Sequence, residues 1–237
     1  MEIVVNHLTR MRHGHVCAAG IDPATGRHVR PVWGRGTLGA QHLEKRGGWF
    51  ALGARIEMGR TRPCGTPPHG EDRMFRDAEV RAAGALSAGE FWDLLARTAR
   101  PTLREIFGPA LRRRGAASCA VDRGFGTASL GNLLLASRPA LGLRPRKDRP
   151  DQVRMKVDDG VLDLDLGVTD LRFYGSVGRE PDASLVEAVS ARLRKGEGAI
   201  LSVGLSRAFS SSFEHAPVHW LQVNNVHLEG EPLWDGR

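Results

Sequence analysis

Apolar and polar residues alternate along much of this chain with a period of two, the spacing of half-buried strands. Ala54, Ile56 and Met58 alternate with Arg55 and Glu57. Val153, Met155 and Val157 alternate with Arg154 and Lys156. Leu162, Leu164 and Leu166 alternate with Asp163 and Asp165, and Asp158-Asp159-Gly160 supplies the hairpin turn between the two runs. Short apolar runs predict further strands at 2–8, 16–21, 28–32, 118–121, 130–136, 170–174, 199–203 and 219–228. The turn between 16–21 and 28–32 holds Asp22, Pro23, Thr25 and Gly26.

The period changes in three places. Ser87 and Glu90 make a capping box for a helix whose Phe91, Leu94 and Leu95 share a face. Pro101 opens a second short helix with Leu103, Ile106 and Phe107 on one side, stopped by Gly108-Pro109. Asp182 caps a helix with Leu185, Val189 and Leu193 at four-residue steps, ending at Gly196. A short helix at 37–45 is also expected, before Gly47-Gly48.

Read as elements, the second half is three strands, a helix and two strands, the order of a five-stranded OB barrel. The first half opens the same way and inserts helices at about 87–107. The expected fold is therefore mostly β with α insertions (α+β): two OB-like β-barrels, at 1–145 and 150–237. The proline-rich, charged segment 138–150 is the predicted linker.

Charge sharpens this picture. The net charge is +7, but residues 1–150 carry 25 Lys and Arg against 13 Asp and Glu, and residues 151–237 carry 9 against 14. A basic half favours a polyanionic partner; a genome biased toward Arg codons gives the same excess. Hydrophobic residues are 41% of the chain, enough for a real core. No apolar run is long enough to span a membrane, the N-terminus does not read as a signal peptide, and Cys17, Cys64 and Cys119 are dispersed. A cytoplasmic protein with reduced thiols is expected.

Candidate chemistry concentrates at two stretches. Trp33 and Arg35 follow the strand that carries Arg30, an aromatic beside cations at a strand end. That is where a base stacks and a phosphate is held; the plainer alternative is a core tryptophan beside solvated arginines. Gly34 to Gly39 matches G-x-G-x-x-G, but without a βαβ unit it reads as a bend. His69, Glu71 and Asp72 gather on the loop RPCGTPPHGED. They suit acid–base work or a metal-assisted hydrolase or nuclease; the alternative is that both carboxylates turn inward onto backbone N–H groups or an arginine such as Arg73 or Arg76. His13, His15 and Cys17 share a face if extended, yet Gly14 and an inward Cys17 favour a packed strand over a zinc site. No metal or cofactor is expected.

The stretches C-A-A-G-I-D, T-G-R-H-V-R-P-V-W, P-P-H-G-E-D, L-S-V-G-L-S-R-A-F and H-W-L-Q-V-N-N-V together resemble the bacterial dual OB-containing domain family. His28 stands where that family usually has an aromatic before V-R-P-V. The resemblance implies two OB-like barrels and a role in handling nucleic acid or nucleotide-like ligands, often in genome defence. The expected function is a binding module for single-stranded DNA or RNA without its own catalysis, with a protein–protein adaptor for a partner effector as a further alternative. Its expected contacts are Arg30, Trp33, Arg35, Arg207, Phe209 and Trp220, with Asn224 and Asn225 as base-edge readers. Aromatics are 6% of the chain, which suits a short site better than a long stacking groove.

Overall fold

The computed structural model describes residues 1–177, 180–211 and 214–234. The N-terminal part supplies β1 (Glu2–Arg10), β2 (Val16–Ile21), β3 (His28–Trp33), β4 (Ala54–Glu57), β5 (Arg62–Pro63), β6 (Asp72–Phe75) and β7 (Arg81–Ala85). They form one sheet in the order β5-β6-β3-β2-β1-β4-β7. The pairings are antiparallel except for β3 with β6, which is parallel and sets Arg30 opposite Asp72 and Trp33 opposite Phe75. A parallel pair needs a long crossover, and residues 34–71 provide it.

β1 is buried on both faces. Ile3 and Val5 pack with Val16, Phe50, Ile56 and Phe75 in one core, while Val4 packs with Ile21, Phe91, Leu95 and Ile200 in another. A strand covered on both sides has no solvent face to show polar residues, so it reads as a run rather than an alternation. Phe91 and Leu95 belong to α1 (Ala88–Thr98). Its predicted capping box is formed: Ser87 Oγ accepts from Glu90 N at 3.3 Å, and Glu90 Oε2 accepts from Ser87 N at 2.9 Å.

The rest of the chain supplies β8 (Ala99–Arg100), α2 (Leu103–Phe107), β9 (Arg112–Arg114), β10 (Ser118–Asp122), β11 (Leu130–Leu134), β12 (Ala140–Arg144), β13 (Gln152–Asp158) and β14 (Asp163–Gly167). α3 (Ala183–Arg194), β15 (Ala199–Leu205), β16 (Phe209–Ser211) and β17 (Glu214–Leu228) complete it. One sheet runs β8-β11-β15-β17-β10-β9 with β16 beside β17, and β12-β13-β14 form a second. α2, α3 and both sheets share one core, with Phe107, Met155, Phe173, Leu193 and Val223 deep in it. The molecule is mostly β with few helices, arranged as barrel-like sheets.

Several expectations are corrected. β10 and β11 do not close the N-terminal sheet; Ala120 pairs with Trp220 and Leu133 with Leu201. The expected linker contains β12, because Leu141 and Leu143 alternate and Leu141 is buried. The expected strand at 170–174 is a 3-10 run, Leu171–Val177. Asp170 turns the chain there: its Oδ1 accepts from Arg172 N at 3.1 Å, and its Oδ2 from Arg172 Nη2 at 2.7 Å and Val226 N at 3.0 Å. The expected helix at 37–45 is two 3-10 turns. Gly48 crosses back over His42, where a Cβ would fall 2.2 Å from the His42 carbonyl carbon, so the chain reverses there.

The N-terminal sheet meets the β15–β17 sheet along a buried polar seam. Asn6 Nδ2 donates to Asn132 Oδ1 at 3.0 Å and to Ser202 Oγ at 3.2 Å, and Ser202 Oγ lies 3.0 Å from His227 Nε2. Among the described residues, no helix is long and apolar enough to cross a membrane.

Candidate functional site

The parallel β3–β6 pair ends at Trp33 and Phe75, and the chain leaves both strands in turns. Between those turns and β5 lies a cleft of about 630 Å³, within the span of about 300–1,000 Å³ common to small-molecule sites. Trp33 forms one wall. It is half-buried, with its ring edge-on to His42 at 4.9 Å, so it is core anchor and cleft wall at once. Arg35, Arg60, Arg62 and Arg76 line the same cleft. None of the four is in an ion pair with another described residue, and Arg62 spends its Nη2 on the soft Met74 sulfur at 3.0 Å. Outside the cleft, Arg30, Arg55, Arg114, Arg154, Arg172 and Arg192 are among the arginines that do pair with carboxylates. Four unpaired guanidiniums around one concavity hold a positive field there.

Two carboxylates share the cleft. Glu79 Oε2 accepts from the Arg60 N–H at 2.8 Å. Asp77 opens the 3-10 turn Asp77–Glu79, and its Oδ1 is buried without a hydrogen-bond partner.

Of the residues lining this cleft, Trp33 and Arg35 were expected from the sequence as contacts, and Arg60, Arg62 and Arg76 were not. The available signal was the alternation of Arg60 and Arg62 in an extended segment, which sets both side chains on one face.

Arg30 is corrected. It is buried, and no phosphate can reach it. Its Nη1 donates to Asp72 Oδ1 at 3.0 Å and to His69 Nδ1 at 2.9 Å, and its Nη2 to Ser129 Oγ at 2.9 Å. Guanidinium has only donors, so His69 Nδ1 must accept. His69 Nε2 lies 3.1 Å from Nδ1 of His219, a buried residue on β17. Burial, then the nearby Arg30, Arg207 and His219, push the His69 pKa down to about 3, and the ring is neutral.

The carboxylates of the same loop turn inward. Glu71 Oε1 accepts from Ser129 N at 2.5 Å and Leu130 N at 3.2 Å, and its Oε2 from Ser129 Oγ at 3.1 Å. Asp72 takes Arg30 on one oxygen and Arg207 on the other, at 2.7 Å. The partners are these two arginines, not Arg73 or Arg76. His69 and Asp72 are each 3% exposed, so His69, Glu71 and Asp72 converge on no point a substrate can reach. The His13–Cys17 face does not form either, since His13 adopts a left-handed φ of 60°. Among the described residues, no three His, Cys, Asp or Glu side chains are placed to share a metal ion.

The remaining candidates divide. Arg207 is 54% exposed even while it holds Asp72. Phe209 is exposed, and its ring centroid lies 6.4 Å from that of Trp220. Cys64 lies within electrostatic reach of both Arg207 and Arg62. Asn224 and Asn225 are corrected: both are buried in the seam. Asn225 Oδ1 accepts from Leu8 N at 2.8 Å, its Nδ2 donates to Leu8 O at 3.3 Å, and Asn224 Nδ2 lies 3.0 Å from His7 Nδ1. They tie the sheets together and read no base.

A mostly β molecule with barrel-like sheets and a cleft lined by four arginines outside any ion pair has the form of a binding module. Comparison with known families is consistent with that form: residues 1–226 match the dual OB-containing domain model, and the chain belongs to that family. No curated protein matches it.

Proposed function

We propose that this protein is a nucleic-acid- or nucleotide-binding module, and that the ligand enters the cleft between Trp33 and the four arginines. The observation that carries this reading is the coincidence of an aromatic wall with Arg35, Arg60, Arg62 and Arg76, none of them paired with a described carboxylate. OB-type surfaces bind strands by cationic walls and stacking platforms. The Phe209–Trp220 pair and Arg207 offer a second contact for a strand that leaves the cleft. The strand pairing supports drawing the two OB-like units at 1–85 and 99–234, with α1 between them, rather than at a linker near 145–150.

Fluorescence anisotropy with a labelled single-stranded oligonucleotide tests the reading. Binding at low salt that weakens steeply as salt rises is the expected result. Absence of binding to DNA, RNA and nucleotides at low salt overturns it and favours an adaptor for a partner effector.

A further inference from the structure

The edge strand β5 leads from the cleft toward a second exposed cation. Arg62 stands opposite Met74 and Pro63 opposite Arg73, and the Cys64 N–H donates to Asp72 O at 3.2 Å, which carries the same ladder one step further. Side chains two residues apart on an extended strand share a face. Arg62 and Cys64 therefore lie on one face of the sheet edge, together with Met74 and Asp72, and Arg62 Nη2 meets the Met74 sulfur there. Arg207 reaches this face from the segment before β16. Its Nη2 is 2.7 Å from Asp72 Oδ2, and its side chain is still 54% exposed. Phe209 follows two residues later, 45% exposed and beside Trp220. Arg62, Pro63 and Cys64 are exposed as well. The acids of the neighbouring loop leave this surface cationic, because Glu71 is bonded to Ser129 and Leu130 and Asp72 is buried against Arg30 and Arg207.

We propose that the ligand is a single strand of at least three nucleotides, which lays one base on Trp33, runs along β5 over Cys64 and reaches Arg207 and Phe209. This rests on the function proposed above and chooses an oligonucleotide over a free nucleotide. The length follows from the register. Trp33 is opposite Phe75, and Arg207 is held at Asp72, three residues back along β6. Three strand residues rise about 10 Å, which is about three nucleotides of a strand at stacked spacing. A base on Trp33 cannot bring its own phosphate that far, so Arg207 and Phe209 contribute only to a longer ligand. Arg62 and Arg207 then take phosphates, and Phe209 offers a second ring for a base. Cys64 is an exposed, uncharged marker on that path.

Anisotropy competition at low salt, with random-sequence DNA and RNA oligomers of one, two, three, four and eight nucleotides, tests the length. Affinity is expected to rise about tenfold or more from one nucleotide to four, since one further stacked base is worth about that much. Phe209→Ala should weaken the octanucleotide about fivefold or more and leave the mononucleotides unchanged, whereas Trp33→Ala should weaken both. Alkylation of Cys64 by N-ethylmaleimide, followed by mass spectrometry, tests the path. An octanucleotide at about 10 Kd should slow it about tenfold by mass action, and mononucleotides at the same saturation should not. Buried Cys119 reports any unfolding in the same spectra. An octanucleotide that binds no more tightly than a mononucleotide, that leaves Cys64 as reactive as in the free protein, or that binds Phe209→Ala as well as wild type overturns the inference and leaves the proposed function standing. Failure of every member of both series to bind overturns the two together.

Discussion

Arg30 and Asp72 stand opposite one another on the parallel strands β3 and β6, with Nη1 3.0 Å from Oδ1 and both side chains out of solvent. The pair is the hub of a network that runs to His69, Ser129, Arg207 and His219, and so joins the N-terminal sheet to β17 and to the segment before β11. A residue chosen for its positive charge thus serves as an internal tie.

Removing one member of a buried pair leaves the other charge uncompensated, at about 3–5 kcal/mol. Arg30→Ala and Asp72→Asn are therefore expected to lower the melting temperature sharply. Neither wild type nor variant should show divalent-metal-dependent nuclease activity. Thermal denaturation and a nuclease assay check this together. Metal-dependent cleavage by wild type that a stably folded Asp72→Asn variant lacks would return His69, Glu71 and Asp72 to a catalytic role.

Much of the fold is legible locally. The alternations that became β13 and β14, and the caps at Ser87 and Asp182, are properties of a few neighbouring residues, and each appears where the pattern places it. Strand partnership is different. β10 sits about 100 residues from β17, and nothing in S-C-A-V-D marks that strand rather than one of the N-terminal sheet as its partner. The segment at 170–174 fails for another reason: Asp170 and Arg172 bond to each other and bend a stretch whose apolar spacing suits a strand.

The candidate site was half legible on the same grounds. Trp33 and Arg35 are adjacent in sequence, whereas Arg60, Arg62 and Arg76 reach them only because β6 crosses over to lie beside β3. Arg30 and Arg35 are the same residue type five positions apart. Arg30 lies within β3 opposite Asp72 and is buried, whereas Arg35 lies past the end of that strand and is exposed.

The cleft arginines give a quantitative expectation. If four of them each neutralise one phosphate of a single strand, log K falls against log salt with a slope of about −3, at roughly −0.7 per contact. Arg35→Ala, Arg60→Ala, Arg62→Ala and Arg76→Ala should each make that slope shallower by about 0.7, whatever the base sequence. Trp33→Ala should cost about 1–3 kcal/mol of binding from the loss of stacking. Anisotropy titrations across a salt series measure both, with circular dichroism confirming that the Trp33 variant keeps its fold.

Asn225 should behave as a structural residue. Asn225→Ala leaves the Leu8 N–H and C=O without their side-chain partner in a dry seam, at about 1–3 kcal/mol for each unmet group. The urea midpoint should drop while oligonucleotide affinity and base preference stay at wild-type values. A change in base preference in a folded Asn225→Ala protein would restore this residue to the ligand surface.

The histidines predict how stability depends on pH. Burial is the first cause of the low pKa values of His7, His28, His69 and His227, and nearby arginines add to it. His28 is brought to about 4, and His69 and His227 to about 3, from an ordinary value of 6.5. His7 is lowered as well, with His28, His227 and Arg30 opposing its charge. Above pH 6.5 these rings are neutral in both the folded and the unfolded chain, and stability is fully present. As pH falls below 6.5 the unfolded chain takes up protons that the folded chain refuses, so the equilibrium moves toward unfolding. The loss grows until the folded pKa values are passed. By pH 5 it amounts to about 2 kcal/mol for each fully depressed histidine, a large part of a typical total stability of about 5–15 kcal/mol. Urea denaturation at pH 7.5, 6 and 5 should show a midpoint that is steady above neutrality and falls steeply below pH 6. His227→Gln keeps a hydrogen-bonding group on the seam that cannot take up a proton, and it should flatten part of that fall. A midpoint that does not move between pH 7.5 and 5 would mean that these rings titrate alike in the folded and unfolded chains, and that the seam admits water.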